Sequence, residues 1–337
     1  MITSNIKVNF TDNSLLSWYS LEQKSRLMRD RFGSLNKYSP FKFSKTYDKI
    51  PSISSMNGTY EEFRDIFYKK IENICKKYKN IYIMWSGGVD STALLCGLIN
   101  YGCKNLYVLC TEDSIQEYPF LYEKIKTSYN INFITHEYMT QFSYSLKEDE
   151  ILLIGTPGDQ LFGSTLSYKY NTHCHNNWKE FFINTTYNYK SLIFQNDYAL
   201  TEYKLVDYIK TTQALFWWLN FSVKWEYVHL FYPCTKQVYH IYADKQFQEW
   251  CMSRIDIIND IPYTNPLYYK RELKNIIFEV TKDYEYFKNK IKEGSYQKLD
   301  KYATSLRTPI VVFKDGIKTY LTDELALNDI MSLCYER

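Results

Sequence analysis

Glycine is scarce in this chain, with eleven in 337 residues, against an average usage of roughly 7%. A sequence that avoids glycine keeps it where a backbone turns sharply or approaches something closely. Five of the eleven fall in two short segments, at 87, 88, 155, 158 and 163. The eight cysteines never form a C-x-x-C pair, so neither a zinc ribbon nor a disulfide scaffold is suggested. No apolar run approaches the roughly 18 residues of a membrane helix. The opening Met1-Ile-Thr-Ser-Asn-Ile-Lys-Val lacks the continuous apolar core of a signal segment. Neither sign of charge dominates: Lys+Arg is 41 and Asp+Glu 38, a formal net charge of +3. That argues against a strongly basic nucleic-acid coat and against a polyacidic tail. The expectation is a soluble cytoplasmic protein with no membrane partner. Hydrophobic residues make up 45% of the chain, enough for a sizeable core.

Residues 1–58 are polar, aromatic and weakly periodic, and form an extension of unassigned structure. From Tyr60 to Tyr78, the residues Phe63, Ile66, Phe67, Ile71 and Ile74 recur at helical spacing, with Thr59 as N-cap and Glu62 three residues on. The period then changes. Ile81–Trp85 reads as a buried strand, Ser86–Ser91 as a loop, and Thr92–Ile99 as the start of a helix. Leu106–Cys110 reads as a second strand, 115–129 as a helix, Asn132–Thr135 as a third strand and Ile151–Ile154 as a fourth. Strands alternating with helices predict an α/β fold with a doubly wound parallel sheet, here over residues 59–175. Residues 176–337 read as mostly helical, Val238–Tyr242 included, with a C-terminal hairpin over 310–321 turning on Asp315-Gly316.

Ser86-Gly-Gly-Val-Asp-Ser91 lies between a buried strand and a helix. Gly87 and Gly88 let backbone N–H groups face an anion with no Cβ in the way. The following helix turns its positive end to the same place, and Ser86, Ser91 and Thr92 add hydroxyls. Asp90 does not favour a bare phosphate, so its expected task is to hold a Mg²⁺ shared with the phosphates. The Gly-Lys-[Ser/Thr] ending of a Walker loop is missing.

These residues resemble the PP-loop of the N-type ATP pyrophosphatases. The resemblance implies cleavage of ATP between its α and β phosphates, with AMP passing to a substrate and pyrophosphate leaving through the loop. Three features are similar to the asparagine synthetase branch: Thr111-Glu-Asp-Ser-Ile-Gln-Glu-Tyr after the second strand, His136-Glu137 after the third, and Gly158-Asp-Gln-Leu-Phe-Gly163 after the fourth. The resemblance implies Asp159 as a second Mg²⁺ ligand, a residue that also suits a helix N-cap. Phe231-Tyr-Pro-Cys234 and Lys270-Arg-Glu-Leu-Lys274 are fainter echoes, the latter implying Lys270 as a cation that stabilises charge during transfer. Glu112 and Asp113 are candidates for the ribose or adenine, because ligands bind at the carboxyl ends of strands.

The departures shape the expected reaction. No glutaminase domain or N-terminal Cys nucleophile precedes the synthetase-like part, so ammonia or an amine is expected from outside, including from a separate amidotransferase. The branch's Glu before its Asp is replaced by Thr156, and Gly155-Thr156 is similar to the Gly-Thr of GMP and NAD synthetases. The expected activity is therefore an ATP- and Mg²⁺-dependent, AMP-forming ligase acting on a carboxylate or carbonyl oxygen. The alternatives are amination or thiolation of a nucleobase or tRNA, and nucleotide binding without turnover. His173-Cys174-His175 reads as a rim loop and Cys110 as a buried thiol. Trp217, Trp218 and Trp225 read as core, and the lysines of 288–292 as a solvated face.

Overall fold

The computed structural model describes residues 30–33, 48–129, 131–135, 145–163, 174–184, 190–225, 237–261, 265–291, 310–312 and 318–320. The first long element is helix α1, Tyr60–Lys77. Its expected capping box forms: Thr59 accepts from the Glu62 N–H, and the Glu62 carboxylate accepts from the Thr59 N–H. Phe63, Ile66, Phe67, Ile71 and Ile74 make its buried face.

Five short strands follow in one sheet: β1 (Asn80–Met84), β2 (Leu106–Cys110), β3 (Asn132–Thr135), β4 (Glu150–Ile154) and β5 (Val238–His240). Their order is β3-β2-β1-β4-β5, and every pairing is parallel. Parallel neighbours need crossovers. Helix α2 (Val89–Tyr101) links β1 to β2, and α3 (Glu112–Glu117) and α4 (Pro119–Ser128) link β2 to β3. The chain builds outward from β1 to β3, then returns to place β4 on the other side of β1. The carboxyl ends of β1 and β4 thus flank the point where the order reverses, the usual place for a ligand in an open parallel sheet.

Two readings need correction here. The expected helix over 115–129 is two helices, because Pro119 forces Tyr118 out of helical backbone, with φ −147° and ψ 71°. Val238–His240, expected to be helical, is a strand; its alternation is only three residues long, and pairing with β4 decides its conformation. The sheet therefore draws on both sides of residue 175.

The remaining α-helices of the described residues are α5 (Gly158–Phe162), α6 (Trp178–Asn184), α7 (Lys190–Glu202), α8 (Thr212–Leu219), α9 (Lys245–Met252), α10 (Arg271–Thr281) and α11 (Tyr284–Asn289). The pair Ile310–Val312 and Lys318–Tyr320 is antiparallel, as the hairpin reading expects, with its turn at 313–317 outside the described residues. No helix among the described residues is long and apolar enough to cross a membrane.

One hydrophobic cluster runs from Phe32 to Tyr286. Trp217, Trp218 and Trp225 are buried in it, and Cys110 is buried too, with its thiol pKa pushed up by burial. A piece of the N-terminal extension belongs to this core. Phe32 stacks on Trp218 at 5.8 Å, and the Arg31 guanidinium lies 4.0 Å over Trp225 while bonding Asp48 at 2.9 Å. Helices α1, α2 and α10 pack against one another, and α2 against β1. α1 meets α2 at Gly97, where a Cβ would lie 2.6 Å from Ile71 Cδ1.

Gly97→Ala is expected to cost about 1–3 kcal/mol through overpacking, and Thr59→Ala about 1 kcal/mol through loss of the cap. Urea unfolding measures both. An unchanged midpoint for Gly97→Ala would mean that the α1–α2 contact yields freely.

Candidate functional site

After β1 the chain runs through Trp85 into the loop 86–88, and α2 begins at Val89. Gly87 has φ +76°, and a Cβ there would sit 2.5 Å from the Ser114 carbonyl oxygen and 2.5 Å from Glu117 Cβ. The loop therefore lies directly on α3, and only glycine fits. Gly88 is different. It is the N-cap of α2 without a side-chain bond to the first turn, and a Cβ there would meet only Ser86 Oγ, at 3.4 Å. Its missing side chain leaves room rather than avoiding a clash. Gly88 and Val89, at the start of α2, line that room.

The hydroxyls stabilise the loop. Ser86 N–H donates to Ser91 Oγ at 3.1 Å, the two serine hydroxyls are 3.0 Å apart, and Ser91 Oγ donates to the Gly88 carbonyl at 3.2 Å.

The β4 loop comes in against the same helix end. A Cβ on Gly155 would lie 2.8 Å from the Ser91 nitrogen, and one on Gly158 would lie 2.5 Å from Asp90 Oδ1. Two glycines thus let Thr156 to Asp159 slide onto the first turn of α2. Asp159 lies within the first turn of α5, whose N-cap is Pro157, so its capping role does not arise.

From the other end of the sequence comes Lys270. Its Nζ is 2.6 Å from both carboxylate oxygens of Asp90 and 2.6 Å from Asp159 Oδ1. Its side chain is 3% exposed. Burial disfavours the ammonium, but the Asp159 and Asp90 carboxylates outweigh it, and the lysine pKa stands well above its usual value. The backbone of Lys270 is left-handed, with φ 49° and ψ 42°, a conformation that strains a residue with a Cβ. Tyr242, fully buried, donates its hydroxyl to the Asp90 carbonyl at 3.0 Å and holds the helix start from behind.

A cavity of about 590 Å³ opens above this triad, within the size range of small-molecule sites. Ser86, Gly88, Asp90, Asp113, Thr156, Asp159 and Lys270 line it, so seven of the sequence candidates meet in one place. Gly87, Ser91, Thr92, Glu112 and Gly155 are not in its lining. Thr92 is fully buried and accepts from the Trp85 indole at 3.0 Å. Ser91 is spent on the loop, and Gly87 and Gly155 on close packing. Glu112 is exposed and off the cavity, whereas Asp113, Gln116 and Glu117 line it. Those three recur at helical i, i+3, i+4 spacing on α3, a signal present in the sequence. Lys290 and Tyr269 also line the cavity. Lys290 corrects the solvated-face reading: its side chain is 9% exposed and pairs with Glu117. His136, Glu137, His173 and Phe231–Cys234 lie outside the described residues.

The lining carries four carboxylates (Asp90, Asp113, Glu117, Asp159) against two lysines (Lys270, Lys290), an excess of two negative charges. That net charge disfavours entry of an unaccompanied polyanion. Asp90 and Asp159 already converge on one cation with hard oxygen donors, the ligand type that Mg²⁺ takes. Two protein carboxylates beside phosphate oxygens fit that ion. Among the described residues, no group of three or more His, Cys, Asp or Glu is arranged to hold a metal unaided.

Behind the rim, His240 at the end of β5 places Nδ1 3.0 Å from Thr156 Oγ1 and 3.2 Å from the Thr156 carbonyl. Burial lowers its pKa, against the pull of that carbonyl. No protein-family model matches the chain, and a search of curated proteins finds no significant match.

Two outcomes follow from this geometry. Lys270→Met is expected to cost about 3–5 kcal/mol, because it strands two carboxylates, and Asp159→Asn clearly less, because one pair survives. Thermal unfolding of the two variants compares them. For His240 the folded state favours the neutral ring, so its contribution is complete above the unfolded pKa of about 6.5. It falls away as pH drops through that value towards the lower folded pKa. Stability measured from pH 8 to 5 is expected to decline less in His240→Gln than in the unaltered chain; parallel curves would refute this.

Proposed function

We propose that the chain is an ATP-dependent, AMP-forming ligase of the PP-loop type, on a doubly wound sheet. The observation that carries the proposal is the meeting of Asp90, Asp159 and Lys270, from segments far apart in sequence, beside the loop 86–88 and the open start of α2. Gly88 supports the same reading, since its lack of a side chain makes space in the cavity and relieves no clash.

In this reading the uncapped N–H groups of α2 and Ser86 receive the phosphates of ATP. Asp90 and Asp159 hold the Mg²⁺, which when bound neutralises phosphate charge and orients the leaving group. An oxygen of the acyl or carbonyl substrate attacks the α-phosphorus, the Pα–O–Pβ bond breaks, and pyrophosphate leaves. Lys270 sits where negative charge builds on the transferring phosphoryl group, a fixed cation in a water-poor site. Thr156, with His240 behind it, lines the approach. Ammonia or an amine then displaces AMP. The bent backbone of Lys270 supports its role, since a strained conformation persists where the surroundings over-determine it.

Pyrophosphate–ATP exchange tests the proposal. The protein is incubated with labelled pyrophosphate, ATP, Mg²⁺ and pooled carboxylates and nucleobases, beside Asp90→Ala. The expected result is exchange that depends on one pool and vanishes in the variant. ATP binding without exchange from any pool, tRNA included, would replace the ligase reading with nucleotide binding alone.

A further inference from the structure

Cys75 and Cys103 meet at the end of α2 that points away from the cavity. Helix α2 has 13 residues, so its exit lies about 20 Å from the loop 86–88. Ile71 meets α2 at Gly97, and Cys75 stands one turn further along α1. Cys103 follows Gly102, whose left-handed backbone, φ 81°, ends α2. Its N–H donates back to the Leu98 carbonyl at 3.0 Å, a closing bond of the helix. Asn105 ties the same turn to the exit of α1, because its side-chain amide donates to the Lys79 carbonyl at 2.9 Å. Backbone and cap thus hold Cys103 against the end of α1.

The two thiols are bonded to each other. Cys75 Sγ donates to Cys103 Sγ, which also accepts from the Asn105 N–H. Two donors on one sulfur favour its thiolate. Cys103 is drawn below the ordinary thiol pKa, chiefly by Cys75, against the effect of burial. The same bond, together with burial, pushes Cys75 up. Both side chains are only partly buried, within reach of a small reagent. Cys96, Cys110, Cys174 and Cys251 differ: all four are buried, and burial keeps them as thiols.

We propose that Cys75 and Cys103 form a reversible disulfide when the protein meets a hydroperoxide, with Cys103 as the attacking sulfur and Cys75 as the resolving one. The Cys103 thiolate attacks the O–O bond and takes one oxygen, becoming a sulfenic acid. The other oxygen leaves as water or an alcohol, with the proton that Cys103 had shed. Cys75 then attacks the Cys103 sulfur. The S–S bond forms, the S–O bond breaks, and hydroxide leaves with the Cys75 proton as water. The two thiols lose two electrons and the hydroperoxide gains them. An external thiol reverses the bridge by exchange. The bridge closes a ring, 75–103, that contains β1, the loop 86–88 and α2. Such a ring stabilises the folded chain by restricting the unfolded one. The inference stands apart from the nucleotide reading.

Peptide mapping of the reduced full chain, before and after hydrogen peroxide, tests it. The expected product is one cross-linked peptide joining Cys75 to Cys103, lost again on treatment with dithiothreitol. The melting temperature is expected to rise by about 5 °C on oxidation and to return on reduction. With dimedone present, Cys75→Ser is expected to carry the adduct on Cys103, and Cys103→Ser to carry none on Cys75. An adduct on Cys75 at a matching rate overturns the assigned roles. Two merely packed thiols predict that peroxide leaves both free. That result, or a bridge to any other of the eight cysteines, overturns the proposal. Mapping of the unaltered chain decides the disulfide even where a variant fails to fold.

Discussion

The ammonium of Lys270 between Asp90 and Asp159 is the interaction on which the site depends. Asp90 and Lys270 are 180 residues apart, and the ion pair fixes where their segments meet. Each supporting feature is arranged for it. Gly155 and Gly158 give up their side chains so that the β4 loop can reach α2. Tyr242 pins the Asp90 carbonyl. Lys270 accepts a left-handed backbone at the start of α10. A buried charge gains little net energy, since desolvation offsets attraction. In the packing observed, α10 lies on α2 with the Lys270 charge met by both carboxylates.

Glycine economy and local periodicity made part of this legible in the sequence. The change of period around 80–89 located β1, the loop and α2, and the capping box located the start of α1. Clustered glycines marked the two loops that touch. Seven of the candidate residues line one cavity, most of them because strand–turn–helix units place loop residues at the carboxyl ends of their strands. The misses have a common physical cause. β5 is three residues long, and its conformation comes from pairing with β4. Thr92 stands in the motif like its neighbours, but helical geometry turns it inward to the Trp85 indole. Lys290 sits in a run of lysines whose local sequence names no partner, and only the stacking of α11 on Tyr118 brings it to the wall. Residues positioned by distant contacts leave no local signal.

The charge balance of the cavity constrains what enters it. With four carboxylates against two lysines, an unaccompanied polyanion meets net repulsion. A divalent cation reverses the sign of that cost. The same carboxylates that repel the phosphates then become ligands or near neighbours of the ion. The helix start and the loop amides contribute without charge of their own, so their attraction for phosphate survives whatever the lysines are paired with. This divides the labour within the wall. In the proposed reading, backbone groups would receive the phosphates, Asp90 and Asp159 would hold the metal that accompanies them, and the lysines, each paired with a carboxylate, would become available as those carboxylates turn to the new cation.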